Sequence, residues 1–202
     1  MTRVRLTVDG QEVSSQVRLS KTKATFAPPR GWTEGLHKVL VQVSDAAGNT
    51  AERKLFFTHS KPVPKTVWQQ IGGVKSGGRK RFLFGMYGVR VQDMPEIAAG
   101  GFDFVHNYQW DGAGTNEEAL RYLDAAQKNG LQAFIGIWRQ QLMKGNEEFV
   151  AERVGALMNH PGLFAWYLYD EPDIQFQYVS PQWLTRYYKL IKALDPYHPV
   201  IV

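Results

Sequence analysis

From Arg81 onward the chain repeats one alternation, an apolar run followed by an amphipathic stretch. The runs are "RFLFGMYGV" (81–89), "FDFVHNYQW" (102–110), "LQAFIGIW" (131–138) and "LFAWYLY" (163–169), and "PVIV" (199–202) opens a fifth. Strands that are apolar along their whole length are buried on both faces, which is the mark of a parallel sheet covered by helices. The stretches between them read as helices. "DMPEIAAG" is short and closed by Gly100. "TNEEALRYLDAAQKNG" has Thr115 as cap, Glu118 to complete a capping box and Gly130 as stop. "NEEFVAERVGALMNH" sets Phe149, Val150, Val154, Leu157 and Met158 on one face. "SPQWLTRYYKLIKALD" starts with Ser180 as cap and Pro181 in the first turn. Two architectures satisfy this pattern, a doubly wound sheet and an eight-fold barrel. No Gly-rich phosphate loop follows the first strand, which weighs against a dinucleotide fold.

Residues 1 to about 60 follow a different rule. In "VRLTVDG" the residues Val4, Leu6 and Val8 fall on one face, and in "HKVLVQVSD" so do Val39, Val41 and Val43. The breaks "DG", "PPRG" and "DAAGN" are turn chemistry, since Gly and Asn accept positive φ and Pro presets φ. Short strands separated in this way predict a β-sandwich. Between the two regions, residues 61–80 read as a linker, stiffened at its start by Pro62 and Pro64 and loosened at its end by paired glycines.

Composition narrows the function. The net charge is +5, but Lys61 to Arg81 carries six Lys or Arg and no acid, and the rest is close to neutral. A basic linker is a solvated feature; a nucleic-acid face needs basic residues interleaved with aromatics on one element, so no nucleic-acid partner is expected. Cysteine is absent, which excludes disulfides, zinc thiolates and a thiol nucleophile. No apolar run is long enough to span a bilayer, and "MTRVRLTVDG" reads as a strand, not a signal peptide. His106 has no His or Cys partner at ligand spacing, so neither a metal nor a cofactor is expected. No nucleophile elbow occurs.

In a (β/α)8 barrel the active site lies at the C-terminal ends of the strands. Here those ends read Met86-Tyr87-Gly88, His106-Asn107-Tyr108, Trp138-Arg139 and Asp170-Glu171. Such groups hydrogen-bond to and stack on a sugar, whereas core packing needs neither Asn, Arg nor two carboxylates there. A carboxyl group set beside aromatic rings loses part of its water, and one that stays protonated can give its proton to a leaving glycosidic oxygen. Trp166, mid-strand, reads as packing. Glu171 also has a bland reading, a structural carboxylate paired with Arg139 or Arg90.

"HPGLFAWYLYDEPD", His160 to Asp173, resembles the fourth-strand segment of clan A glycoside hydrolases. The resemblance covers about 120 residues, with that segment its specific part. It implies that residues 81–202 are the N-terminal half of a TIM (β/α)8 barrel, with Glu171 as general acid/base. Asp170 stands where the family has Asn, and it can accept a bond from a sugar hydroxyl but not donate one. Asn107, Trp138, Arg139, Tyr87 and Tyr108 join it as substrate-binding candidates. The family's nucleophile is a Glu on a seventh strand, which these residues do not reach. "GLHKVLVQVSDAAGNTAERKLFF", Gly35 to Phe57, is similar to the last hairpin of bacterial immunoglobulin-like modules, which implies a partial module at 1–60 and an extracellular or cell-surface protein. The expectation is a fragment of a secreted carbohydrate-active enzyme that hydrolyses O-glycosidic bonds on oligo- or polysaccharide, is inactive as it stands, and is prone to self-association. The alternative is a non-catalytic polysaccharide-binding or cell-surface protein.

Overall fold

The computed structural model describes residues 3–60, 67–68, 74–76, 79–108, 114–137, 141–142, 144–174 and 178–202. The chain divides into two compact units, Met1–Lys61 and Pro62–Val202.

Among the described residues of the first unit the regular elements are β-strands, apart from a 3-10 turn at Ser14–Gln16. Its main sheet contains β1 (Arg3–Val8), β2 (Gln11–Glu12), β5 (Gly35–Ser44) and β6 (Thr50–His59), in the order β2-β1-β5-β6 and antiparallel throughout. A second pair, β3 (Arg18–Leu19) and β4 (Ala24–Thr25), lies apart from it. The two apolar rows read from the sequence meet in register: Val4 faces Val43, Leu6 faces Val41 and Val8 faces Val39. That face closes over a small core of Leu6, Val8 and Val13, packed by Val17, Phe26, Trp32, Val39 and Val41. The β5–β6 hairpin turns at Asp45, whose Oδ1 accepts from the amides of Ala47 and Asn49 at 2.9 Å each.

The second unit opens with a small antiparallel sheet of β7 (Val67–Trp68), β8 (Val74–Ser76) and β9 (Arg79–Arg81). A parallel sheet follows: β10 (Gly85–Met86), β11 (Phe104–Val105), β12 (Gln132–Gly136), β13 (Leu163–Tyr167) and β14 (Val200–Ile201). Its spatial order is β10-β11-β12-β13-β14, so each strand lies beside its predecessor in the chain. A doubly wound sheet reverses direction at a switch point, and no reversal occurs among the described strands. With right-handed crossovers a sequential order puts every connecting helix on the same face. Those helices are α1 (Met94–Ala99), α2 (Asn116–Lys128), α3 (Glu147–Leu157) and α4 (Pro181–Leu194).

Helix starts follow the local chemistry. Thr115 Oγ1 accepts from Glu118 N at 3.2 Å, and Glu118 Oε2 accepts from Thr115 N at 2.7 Å, a complete capping box. Asn146 caps α3 through Phe149 N, and Ser180 caps α4 through Trp183 N. The α3 face buries Val150, Val154, Leu157 and Met158 as expected, with Phe149 half-buried. It also buries Arg153.

The sheet's opposite face carries an aromatic layer. Phe104, Phe134 and Phe164 stack with ring centroids 4.6, 5.2 and 5.4 Å apart, and Ala165, Tyr167, Leu83 and Ile201 pack on them. Gly85 pairs with Phe104, and the Phe104 ring occupies the space that a side chain at position 85 would take. The run "RFLFGMYGV" gives only a two-residue ladder to the parallel sheet, and Phe82 and Phe84 are exposed. An edge strand has one neighbour, so its apolar residues are not covered on all sides. No helix of the described residues is long and apolar enough to cross a membrane.

Candidate active site

The C-terminal strand ends gather a polar and aromatic surface, and each piece has a local cause. After β10, Gly88 takes φ +71°, a left-handed turn, and Val89 N then donates to His106 O at 3.0 Å. That bond draws the β10 exit against the β11 exit. His106, fully buried, is ringed by aromatics: Tyr87 at 5.2 Å, Tyr108 at 5.2 Å and Tyr167 at 4.9 Å, all edge-on. Tyr87 and Tyr108 lie 5.8 Å apart, tilted by 36°, and both are about half exposed, at 47% and 50%. Two half-open phenol rings offer faces for stacking on an apolar sugar face.

Behind them Tyr167 is buried, and its hydroxyl donates to Asp170 Oδ1 at 2.6 Å. Burial, and then the bond to the Asp170 carboxylate, push the Tyr167 phenol far above its usual range, so it stays a neutral donor. The donor fixes one carboxylate oxygen of Asp170. The next residue, Glu171, is exposed and has φ +47°. Left-handed backbone costs a non-glycine residue about 1–2 kcal/mol. Among the described residues only Asp9 and Glu171 carry it without being glycine. Glu171 O accepts from Ile174 N at 3.2 Å and Pro172 O from Val179 N at 2.9 Å, so the acidic segment is closed into a loop at its own base. The loss of water expected for Glu171 is not what its exposed side chain displays.

Asn107 behaves differently from the ring cluster. It is buried, and its Nδ2 donates to Val89 O at 3.0 Å, the same carbonyl that accepts from the Tyr122 hydroxyl on α2 at 3.0 Å. In this geometry Asn107 holds the β10 exit in place. Trp138 and Arg139 lie outside the described residues. Ile137, just before them, donates its amide to Tyr167 O at 2.9 Å. The structure thus brings Tyr87, Tyr108 and Asp170 together around His106 and Tyr167, with Glu171 next to Asp170.

Two contributors went unread in the sequence. Tyr167 anchors Asp170. Arg153 reaches from α3 to the β12 exit: its Nε donates to Gly136 O at 2.8 Å, and its Nη1 donates to Gly114 O at 3.3 Å and Asn116 Oδ1 at 3.2 Å. Tyr167 had one available signal, since it shares its strand face with Ala165. Arg153 had none, because its partners are mostly backbone carbonyls. Among the described residues no group of three or more His, Asp or Glu is placed to hold a metal ion.

Residues 1–58 match the family model of the bacterial Ig-like domain. The first unit is that Ig-like domain. The search of curated proteins found no match. Among solved structures, the chain is similar to a putative glycoside hydrolase from Bacteroides vulgatus, at 15% identity and a TM-score of 0.46, over 98% of this chain and 51% of that one. It is similar to a family 39 glycoside hydrolase from Bacteroides cellulosilyticus, at 14% identity and a TM-score of 0.42, over 98% of this chain and 45% of that one. It is also similar to a glycosyl hydrolase family 2 member from Bacteroides cellulosilyticus, at 14% identity and a TM-score of 0.44, over 98% of this chain and 31% of that one. This chain therefore spans from about a third to about half the length of those proteins.

Proposed function

We propose that residues 81–202 form the N-terminal half of a glycoside hydrolase (β/α)8 barrel, joined through residues 61–80 to the Ig-like domain at 1–60, in a protein that works outside the cell or at its surface. The sequential strand order supports this, because closing a barrel requires each strand to pair with its chain neighbour. The observation that carries the reading is Glu171. An exposed carboxyl group, held in left-handed backbone at the end of a fully buried strand, is strain with no packing purpose, and strain of that kind gathers at functional sites.

In this reading Glu171 gives its proton to the glycosidic oxygen as the bond to the leaving sugar breaks. Its carboxylate then takes a proton from the incoming water. Asp170, fixed by Tyr167, accepts a bond from a sugar hydroxyl, and Tyr87 and Tyr108 stack on the ring. Asn107 steadies that surface, and Trp138 and Arg139 remain sugar-binding candidates by their place in the sequence alone. A retaining mechanism also needs a second carboxylate as nucleophile. No nucleic acid or cofactor takes part.

The test is Glu171→Gln in the full-length protein, assayed on glycosides with poor and with activated leaving groups. Removing a general acid costs about 10²–10⁴-fold. The expected loss is of that size for poor leaving groups and much smaller for activated aryl glycosides. Equal losses on both would assign Glu171 to structure alone. The exposed Tyr87–Tyr108 pair also suits a second reading, a polysaccharide-binding surface without chemistry. Sugar affinity without turnover in the full-length protein, unchanged by Glu171→Gln, would select it.

A further inference from the structure

The Ig-like domain holds a buried histidine whose two ring nitrogens both meet acceptors. His37 Nδ1 lies 2.7 Å from Asp9 Oδ2, and Nε2 lies 2.8 Å from the carbonyl oxygen of Thr33. A neutral imidazole has one N–H and one lone pair, so it can serve only one of these; the imidazolium serves both. The ring is 3% exposed and belongs to a three-ring cluster: it stacks on Phe57 at 5.0 Å and lies tilted to Trp32 at 4.9 Å, and those two rings meet edge-on at 4.7 Å. The Phe57 face on which it stacks suits a cation.

The two acceptors belong to different parts of the domain. Asp9 is in the β1–β2 turn, where it takes φ +49° ahead of Gly10 at φ +80°. Its Oδ1 accepts from Lys38 N at 2.8 Å, and its amide donates to Lys38 O at 2.9 Å. Thr33 is in the loop between β4 and β5. Turn and loop together wall a cavity of about 390 Å³, lined by Asp9, Gln11, Phe26, Pro28, Pro29 and Trp32 among others. His37 is the side chain that ties one wall to the other.

We propose that His37 is held doubly protonated and acts as a pH-operated latch, which fastens the loop through Thr33 to the Asp9 turn while charged and lets it go when neutral. The surrounding charges support this. Burial alone would lower the His37 pKa, but the bonds to Asp9 and Thr33 and the Asp9 charge outweigh it and raise it above the ordinary 6.5. Burial pulls Asp9 the other way too, and the His37 bond, the Lys38 amide and the charges of His37 and Lys38 bring it below its ordinary 3.8. From β6, His59 Nδ1 shares the Thr33 carbonyl at 3.2 Å, and the same loop carries the exposed Arg30 and Glu34. The His37 contribution is therefore complete below pH 6.5 and is lost as the pH rises through its raised value. The Asp9 contribution is complete above 3.8 and is lost as the pH falls through its lowered value. The latch holds between the two.

The test uses the full chain and nitrogen-resolved NMR of the imidazole rings, with hydrogen-exchange protection factors at Asp9 and Lys38. At pH 6 both His37 nitrogens carry protons. Protection at Lys38 falls as the pH is raised towards 9, with the midpoint at the His37 titration. Asp9→Asn keeps the side-chain shape and tolerates positive φ, so the fold survives, and the midpoint moves down by about one pH unit. His59→Gln leaves the midpoint in place. A bare His37 nitrogen at pH 6, protection that does not change with pH, or an unmoved midpoint in Asp9→Asn would each overturn the proposal.

Discussion

The Tyr167 hydroxyl donates to Asp170 Oδ1 across 2.6 Å, so the aromatic wall and the acidic strand end are joined by one bond. Hydrogen bonds to charged groups contribute about 1.5–3 kcal/mol. Tyr167→Phe keeps the ring against His106 and removes the donor. Because Asp170 is only partly buried, the expected cost is at the low end, about 1.5 kcal/mol in chemical denaturation. Asp170→Asn, whose amide oxygen still accepts, costs less. A double-mutant cycle between the two positions gives a coupling near 1 kcal/mol, within the usual range for residues in contact.

Glu171 supplies a prediction of opposite sign. Its φ of +47° is easy for glycine and strained for any other residue. Glu171→Gly raises stability by about 1 kcal/mol, the left-handed penalty less the extra chain entropy of glycine. The same variant removes the candidate acid, so the thermal midpoint rises while any hydrolysis by the full-length protein falls. A lower midpoint would mean that the carboxylate stabilises the loop.

Beneath the sheet, Asp195 is fully buried. Its Oδ2 accepts from Trp166 Nε1 at 2.9 Å and from His198 Nδ1 at 2.6 Å. Burial alone would raise its pKa; the His198 bond and charge, with the Trp166 N–H, outweigh this and lower it to about 2. Its contribution is complete above 3.8 and lost as the pH falls through about 2. Thermal midpoints measured between pH 5 and 2 should drop in that window. Asp195→Asn should flatten the drop and cost on the order of 2 kcal/mol at neutral pH.

At Gly85 a methyl group would overlap the Phe104 ring, and moving that ring breaks its stacking on Phe134 and Phe164. Gly85→Ala should cost about 3 kcal/mol, the upper part of the usual overpacking range. Adding Phe104→Leu should recover part of it, so the two changes will not sum. Equilibrium denaturation of the three variants checks this.

What could be read from the chain, and what could not, divides by the range of the interaction. The capping box at Thr115 and Glu118, the Ser180 cap and the paired rows Val4, Leu6, Val8 and Val39, Val41, Val43 depend on neighbours three residues away or on period two. Each is written locally. The buried strand at 163–167 was legible because its uncharged run admits no exposed face. Arg153 was not, because its partners are carbonyls at Gly136 and Gly114, and a backbone oxygen has no signature in sequence. His37 and Asp9 meet across 28 residues, and neither residue type announces the other. Asn107 read as a binding group because strand-end amides commonly are, and only packing reveals that its donor goes to Val89. Phe82 and Phe84 read as a buried run because apolarity does not say which strand lies at an edge.

The ordering β10-β11-β12-β13-β14 has a consequence for how the molecule is made. A ribosome delivers strands in that same order, and each new strand finds the edge it needs already present. No strand waits for a partner still to be synthesised, and each closure spans one helix and its flanking loops. Loops of that length close at modest entropic cost. The parallel sheet can therefore grow one crossover at a time during translation, its growing edge always the most recent strand.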